Sequence, residues 1–178
     1  MVIKIPDQVN RAIEILNKNS HSAYVVGGAV RDALMNRPAH DWDITTSALP
    51  QQTEEAFSGF RIIETGLKHG TVTVIVDGTD LEITTYRIEH GYSDNRHPDR
   101  VDFTDRVEDD LSRRDFTVNA IAYSPIHGFS DPFGGREDIE RKIIRCVGDA
   151  DRRFGEDALR ILRALRFSSV LGFEIDPG

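Results

Sequence analysis

The sequence predicts an α+β domain in which a mixed or antiparallel sheet is flanked by helices and followed by a further helix. Segments with strand character and segments with helical character follow one another irregularly, without the regular alternation of a parallel α/β fold. Two apolar segments, TVTVIV (71–76) and LEITTY (81–86), are separated by DGTD, which is typical of a β-hairpin. From about Glu137 the apolar residues recur at helical spacing.

In the first part of the chain, short helices and strands are expected in turn. Residues 7–18 carry apolar side chains at helical spacing. AYVVGG (23–28) is typical of a short buried strand, and the helix expected after it stops before Pro38. A strand is predicted through DWDITT (41–46). A helix is predicted to start near Pro50, because proline suits the first helical turn.

The second part begins with a strand at RIIETG (61–66), followed by the predicted hairpin. Residues 87–104 are polar, charged and aperiodic, which predicts a mobile loop. RRDFTVNAIAYS (113–124) is typical of a helix leading into a strand. The basic segment GEDALRILRALRFSSVLG (155–172) predicts one continuous helix.

Composition excludes several classes of protein. With 39% hydrophobic residues in 178, the chain can bury a core. No apolar run reaches the length of a membrane span, and the single cysteine, Cys146, suits a reducing, cytoplasmic location without an internal disulfide. The net charge of −8 argues against a broad basic surface, but residues 141–166 hold eight Lys and Arg against four Asp and Glu. If phosphates bind, this end is favoured.

The glycine turn in VVGGAVRD is a candidate anion site. A strand that enters a helix through Gly27 and Gly28 can bring backbone N–H groups close to a phosphate, and Arg31 could add a charged hydrogen bond. A tight strand–helix turn that needs positive φ, with a solvated arginine, is the alternative.

Two aspartates, Asp41 and Asp43, are the candidate metal ligands. On a strand their side chains would leave the same face, where two unpaired carboxylates repel each other. A divalent cation such as Mg²⁺ would remove that repulsion and would also bind substrate phosphates. Glu82 is the first candidate for a third carboxylate and Asp80 the second. The alternative is a solvated edge strand with ordinary acids.

Several motifs occur together in a fixed order: GGAVRD, HDWDITTSALP, TGLKHGTVTV, LEITTYR, YSDNRHP, LSRRDFTVNAIA, DPFGG and GEDALRILRALRF. Together they resemble the catalytic head of the class II tRNA nucleotidyltransferases, the CCA-adding enzymes, which are related to bacterial poly(A) polymerase. The resemblance implies a polymerase-β-like nucleotidyltransferase sheet with Mg²⁺ on Asp41 and Asp43. It also implies transfer of CMP and AMP from CTP and ATP to a tRNA 3′ end. No membrane is expected among the partners of such a protein.

The resemblance also implies roles for single residues. Arg114 would hold phosphates, and Asp115 and Asn119 would lie near the ribose. Asp157 and Arg160 would select the base, and Arg163 and Arg166 would extend the basic side toward the triphosphate or RNA.

The base-selecting role is consistent with the hydrogen-bonding groups of the two side chains. On one helical face, Asp157 offers acceptors and Arg160 donors, which matches cytosine and adenine and rejects uracil and guanine. A solvated ion pair is the alternative, and under either interpretation Leu159, Ile161, Leu162 and Leu165 are expected to face the core.

Domain organisation follows from the same resemblance. Residues 1–145 would form the nucleotidyltransferase head and residues 146–178 the start of a helical neck, in a chain that resembles a head cut from a longer protein. Two other functions stay open. One is a poly(A) polymerase or a CC- or A-adding relative, and the other is a noncatalytic module that binds RNA or nucleotides.

Overall fold

The computed structural model of the chain describes residues 2–66, 70–93 and 98–177. The described α-helices are α1 Asp7–Lys18, α2 Gly28–Leu34, α3 Pro50–Ala56, α4 Val107–Ser112, α5 Gly135–Arg141, α6 Ala150–Glu156 and α7 Leu159–Leu171, and a 3-10 helix spans Thr117–Asn119. The described strands are β1 Ala23–Val26, β2 Ile44–Thr46, β3 Arg61–Gly66, β4 Thr71–Val76, β5 Thr79–Thr85, β6 Arg87–His90, β7 Arg100–Phe103, β8 Ala122–Ser124, β9 Gly128–Ser130, β10 Ile143–Ile144 and β11 Glu174–Ile175.

The central sheet has seven strands in the order β3-β4-β5-β2-β1-β8-β9. Its neighbouring strands are antiparallel except for β2 and β5, which run parallel with Ile44 opposite Ile83. The mixed sheet with flanking helices that the sequence predicted is therefore confirmed.

The hairpin of β4 and β5 forms as predicted. Its turn residues, Asp77 and Gly78, have φ angles of 50° and 80°, the left-handed pair that a two-residue hairpin turn requires. Along β4 every second residue is buried, ending with Val76, so one face of the strand enters the core.

The main core lies between this face of the sheet and the helices α1 and α3. The apolar stripe of α1, Val9, Ile13 and Leu16, is buried against it, as its spacing predicted. The core also takes Phe57, which follows α3. Among the described helices, none is both long enough and apolar enough to cross a membrane.

A further apolar cluster holds the C-terminal part against the sheet domain. It joins Phe116 and Ile144 to Leu171 and Phe173, and β10 pairs with β11 in parallel beside it. Residues on both sides of position 145 thus pack together. The division into segments 1–145 and 146–178 stays a prediction.

A mobile loop was expected over residues 87–104. This prediction is wrong at both ends of the segment, because β6 and β7 form an antiparallel pair there. Neither strand buries every second residue, although polar and apolar residues alternate in RVDF (100–103). Their side chains form ion pairs instead, such as Arg87 with Glu89. Residues 67–69 and 94–97, within the TGLKHGTVTV and YSDNRHP motifs, lie outside the described residues.

The single helix predicted over residues 155–172 is also wrong, because the chain is extended at Asp157 with φ −145° and ψ 104°. This interruption separates α6 from α7. The expected core positions of α7 are solvent-exposed in this structure: Leu159, Ile161, Leu162 and Leu165. Helical periodicity shows which apolar residues share a face of the helix, but it does not show whether another element packs against that face. On α7 it is Arg160, Ala164 and Leu171 that are buried.

Candidate functional site

A cavity of about 650 Å³ lies where the β1–α2 turn, the segment after α4, the β6–β7 hairpin and α7 meet. Six arginines and four acidic side chains line it, so its charge favours an anionic ligand. The predicted nucleotide-binding residues at its wall are Gly27, Gly28, Arg31, Arg114, Asp115, Asn119, Asp157, Arg160 and Arg163. Arg166 is exposed on α7 and is not among the lining residues.

The glycine turn that begins α2 is built for close approach. Gly27 has φ 78° and ψ −138°, and a Cβ there would lie 3.3 Å from Nη1 of Arg114. The turn therefore needs glycine for its backbone angles and leaves room for the arginine. The amide of Gly27 donates to the carbonyl of Ile121 at 3.4 Å. The phosphate-binding role predicted for the backbone N–H groups of this turn stays a prediction.

Arg31 is held by three neighbours at the back of the cavity. Its Nη1 donates to Oδ1 of Asn119 at 2.6 Å and its Nε to Oδ1 of Asp32 at 2.9 Å. The guanidinium also lies 5.2 Å from the ring centroid of Phe167, a cation–π distance. The arginine is thus fixed in place before any ligand arrives.

Asp115 is fully engaged by protein donors. Its Oδ2 accepts from Nε and Nη2 of Arg163 at 2.8 and 2.6 Å. Its Oδ1 accepts from the amide of Phe116 and from Nδ2 of Asn119. A ribose hydroxyl that bound Asp115 would therefore share or displace Arg163. Asn119 links this pair to Arg31, so the predicted sugar and phosphate residues form one network.

Asp110 anchors the cationic side of the cavity and was not predicted from the sequence. It is fully buried, accepts from Nε of Arg113 at 2.9 Å, and accepts from Nη2 of Arg114 at 3.3 Å. Burial alone would raise the pKa of Asp110, but the two guanidinium groups outweigh it and hold the pKa below its usual range. Its position three and four residues before two arginines on a helix was the available signal.

The β6–β7 hairpin contributes a second unpredicted group. Glu89 accepts from Nη1 of Arg113 at 3.1 Å and from the hydroxyl of Tyr92 at 2.7 Å. The ring of Tyr92 in turn lies 5.7 Å from the guanidinium of Arg160. The hairpin is therefore connected both to the Asp110 cluster and to the predicted base-selecting arginine.

Asp157 and Arg160 both reach the cavity, but the shared helical face predicted for them is wrong. Asp157 precedes α7, and its Oδ1 accepts from the amide of Leu159 at 2.9 Å. Nη1 of Arg160 donates to Oε2 of Glu156 at 3.0 Å, as well as to a backbone carbonyl. The two side chains converge on the cavity from separate elements, because the helix is broken between them.

A second, acidic cavity of about 430 Å³ adjoins the first. Its acidic lining residues are Asp41, Asp43, Asp80 and Glu82. The strand assumed for the aspartate pair is wrong, because β2 begins only at Ile44 and Asp41 has a φ of 51°. Aspartate tolerates this left-handed conformation better than most residues. The turn, rather than strand alternation, brings the pair to one cavity.

Asp43 is the residue that lines both cavities. Desolvation raises the pKa of its carboxyl group, and the charges of Glu82 and Asp41 add to this against the opposing charge of Arg114. Carboxylates that share a cavity repel each other when charged, and their oxygens are the ligands that a hard divalent cation prefers. Among the described residues, however, no three His, Cys, Asp or Glu side chains already form a metal-holding group. Glu82 stays a prediction as the third ligand.

Curated proteins that are similar in sequence to this chain are CCA-adding enzymes. The CCA-adding enzyme of Lactobacillus helveticus (strain DPC 4571) is 49% identical over 98% of this chain and 44% of its own length. That of Geobacillus thermodenitrificans (strain NG80-2) is 52% identical over 92% of this chain and 40% of its own length.

Two solved structures match the fold as well. The crystal structure of the Bacillus stearothermophilus CCA-adding enzyme in complex with CTP matches with a TM-score of 0.86 and 47% identity, over 96% of this chain and 40% of that one. A tRNA nucleotidyltransferase complexed with a primer tRNA and an incoming ATP analog matches with a TM-score of 0.74 and 30% identity, over 93% of this chain and 46% of that one.

The chain thus spans less than half the length of the curated relatives named above. The family model of the poly A polymerase head domain matches residues 23–145, well over half of the chain. The matched range contains the glycine turn, the acidic cavity and the Asp110 cluster. The chain therefore belongs to the poly A polymerase head domain family.

Proposed function

We propose that this chain carries the nucleotidyltransferase site of a CCA-adding enzyme, which transfers CMP and AMP from CTP and ATP to the 3′ end of tRNA in the cytoplasm. The observation that carries the proposal is the position of Asp43, whose carboxylate borders both the arginine-lined cavity and the acidic cavity. A nucleotide in the first cavity and an RNA terminus in the second would meet at this residue.

The proposed cofactor is Mg²⁺, held by Asp41 and Asp43 with Glu82 as the third carboxylate. The raised pKa of Asp43 supports this assignment, because a divalent cation would relieve the repulsion that Glu82 and Asp41 add to desolvation. When bound, Mg²⁺ supplies positive charge to the phosphate oxygens and lowers the pKa of the attacking hydroxyl group.

The arginine-lined cavity is proposed to bind the triphosphate and sugar. Arg31, Arg114 and Arg163 offer planar donors that match phosphate oxygens. Asp110 and Asn119 hold two of these arginines in place, so little reorganisation is needed on binding. Asp115 and Asn119 are proposed to lie beside the ribose.

Asp157 and Arg160 are proposed to select the base without a nucleic-acid template. Cytosine and adenine each present an amino donor beside a ring-nitrogen acceptor, and uracil and guanine reverse that order. A carboxylate offers only acceptors and a guanidinium only donors, so the pair fits the first two bases. The broken helix does not weaken this argument, because both side chains line the same cavity.

In the proposed reaction, the 3′-hydroxyl oxygen of the RNA attacks the α-phosphorus of CTP or ATP. A bond forms between these atoms, the hydroxyl group loses its proton to solvent, the bond from the α-phosphorus to the oxygen that bridges to the β-phosphate breaks, and pyrophosphate leaves. The chain contributes positioning and charge rather than a covalent nucleophile. Its arginines hold the triphosphate, and its carboxylates face the attacking hydroxyl.

The test is transfer to a tRNA that ends just before CCA, in the presence of CTP, ATP and Mg²⁺, followed by sequencing of the product ends. Products that end in CCA are expected. Asp41→Ala and Asp43→Ala should each abolish addition, whereas Asp105→Asn, which changes an exposed acid outside both cavities, should not. Transfer that persists in Asp43→Ala would overturn the assignment of the acids.

A poly(A) polymerase is the second candidate, because the matching family model is named after the head domain of that enzyme. The same sequencing separates the two candidates. A run of adenosines would identify poly(A) polymerase. Products that stop after CC, or that gain only the final A, would identify a CC- or A-adding relative. A noncatalytic module, by contrast, would bind nucleotides and leave the RNA end unextended.

A further inference from the structure

Arg153 on α6 has no part in the proposed chemistry, yet it is one of the most buried charged residues of the chain. Only 7% of its surface is exposed, and it is not among the residues that line the arginine-rich cavity. It lies behind the cavity wall, between the segment that carries Arg114 and the segment that carries Arg160. A buried arginine in that position needs a physical explanation.

The guanidinium of Arg153 connects two parts of the site. Its Nη2 donates to the backbone carbonyls of Arg113 at 2.5 Å and Arg114 at 2.7 Å. Its Nη1 donates to Oε2 of Glu156 at 2.6 Å. A planar group with several fixed donors can serve three acceptors at once, which a lysine ammonium on a flexible chain does less well.

Glu156 links Arg153 to Arg160 by hydrogen bonds. The same Oε2 that binds Arg153 also accepts from Nη1 of Arg160 at 3.0 Å. Nη1 of Arg160 donates in addition to the backbone carbonyl of Arg153 at 2.9 Å. A closed ring of hydrogen bonds therefore joins the three residues, and Arg160 cannot shift without breaking contacts to α6.

The two arginines of this ring favour the charged form of Glu156. Desolvation alone would raise the pKa of Glu156, but hydrogen bonds from Arg152 and Arg160 and the charge of Arg153 outweigh it and lower the pKa. Glu156 therefore remains an acceptor for both buried arginines at neutral pH.

Stability alone is a poor explanation for this arrangement. Nε of Arg153 is buried without a hydrogen-bond partner in the described part of the chain. Such a buried donor costs free energy, and buried ion pairs are often no more stabilising than apolar residues of similar volume. What Arg153 does provide is a fixed distance between two segments that are close to 40 residues apart in sequence.

We propose that Arg153 is a positioning residue for base selection: it fixes Arg160 relative to the segment 113–115, and so sets the spacing between the base-selecting and phosphate-binding ends of the site. The inference rests on the proposed function, because the proposed function assigns base selection to Arg160 and phosphate binding to Arg114. Selection by hydrogen bonds requires such spacing to within a fraction of an ångström.

The test compares Arg153→Gln with Arg152→Gln. Arg152 is the adjacent residue and also pairs with Glu156, at 3.0 Å, but its side chain is 75% exposed and donates to neither carbonyl. The ratio of CTP affinity to UTP affinity is measured by equilibrium binding in Mg²⁺. We expect Arg153→Gln to lower this ratio by about tenfold and Arg152→Gln to leave it unchanged. Arg153→Lys, which keeps the charge but not the planar fork, should fall between them.

A distance measurement makes the result independent of nucleotide binding. Nitroxide labels at Ser112→Cys and Leu162→Cys, both exposed positions, are placed in a chain whose buried Cys146 is changed to Ala. Arg153→Gln should broaden the distribution of distances between the labels, and Arg152→Gln should not. Thermal unfolding shows whether each variant is folded. If Arg153→Gln does not fold, Arg153→Lys is used in its place.

The outcomes are distinct. If the variants of Arg153 keep both the CTP-to-UTP ratio and the narrow distance distribution of the parent, the positioning role is wrong. If the parent itself does not distinguish CTP from UTP, the proposed base selection fails. The distance distribution then still decides whether Arg153 fixes the two segments.

Discussion

The charged form of Asp43, the proposed metal ligand, is disfavoured in the folded chain. Desolvation and the charges of Glu82 and Asp41 raise the pKa of its carboxyl group above the usual value, although Arg114 opposes them. The folded chain therefore binds a proton at Asp43 more tightly than the unfolded chain does. The resulting stability is complete below the ordinary pKa of an aspartate and is lost as the pH rises through the raised value.

Asp43→Asn should consequently raise the Tm at neutral pH, and the gain should disappear on acidification below the usual aspartate pKa. Mg²⁺ should raise the Tm of the parent more than that of the variant, since the variant lacks a carboxylate that we propose to bind the ion. Thermal unfolding as a function of pH and Mg²⁺ measures both effects, with Asp105→Asn as the control. A variant less stable than the parent at neutral pH would contradict the explanation.

The glycine turn allows a second prediction for a single residue. Gly27→Ala forces a Cβ into positive φ and toward Arg114, whereas Gly78→Ala forces it into a similar φ with no atom within 4 Å. Both changes should cost about 1–3 kcal/mol of stability through backbone strain. Only Gly27→Ala should also weaken binding of CTP, because it displaces Arg114, which we propose to bind the phosphates. Equal loss of CTP affinity in the two variants would show that the contact with Arg114 is unimportant.

Among the elements, α7 is the one whose faces differ most from expectation. Leu171 is 6% exposed and packs with Phe116 and Ile144, whereas Leu162 is 62% exposed. Arg160 lies on the buried side, where the ring with Glu156 satisfies it. The helix therefore takes its place through a few apolar contacts at its C-terminal end and through ion pairs near its beginning.

Two substitutions on α7 test this description. Leu171→Ala should destabilise the chain by about 2–5 kcal/mol, because it leaves a cavity in the cluster around Phe116. Leu162→Ala, the same chemical change on the exposed face, should alter stability by no more than about 0.5 kcal/mol. Denaturant unfolding of the two variants gives the comparison. Similar losses would mean that the exposed face of α7 is packed in solution.

The β6–β7 hairpin illustrates what a sequence pattern cannot supply. Two apolar segments separated by DGTD predicted β4 and β5, and β4 buries every second residue, as a strand with one face in the core does. The hairpin instead depends on polar partners far along the chain, such as Arg113, which binds Glu89 from 24 residues away. No local rule identifies such a pair, so a polar, aperiodic segment was predicted to be a loop.

For the whole molecule, sequence predicted the mixed sheet, and most of the candidate site residues line one of the two cavities, but the local geometry that brings them there was not predicted. Asp41 and Asp43 reach one cavity through a left-handed turn rather than through strand alternation. Asp157 and Arg160 converge from either side of a helix break. Motif order carries the identity of the residues, whereas turns and breaks depend on long-range packing that a local pattern does not contain.

Charge is also distributed at the scale of the whole chain. The net charge is −8, yet arginines dominate the larger cavity and carboxylates the smaller one. The two cavities have opposite character and share Asp43. This juxtaposition, rather than either cavity alone, is the basis of the proposed transfer reaction.

The most direct measurement is a calorimetric titration of the chain with CTP, with and without Mg²⁺, for the parent and for Asp43→Asn. If Asp43 joins the nucleotide to the cation, Mg²⁺ should strengthen CTP binding in the parent, and this gain should be lost in the variant. An equal gain from Mg²⁺ in both proteins would contradict the proposal that Asp43 links the two cavities.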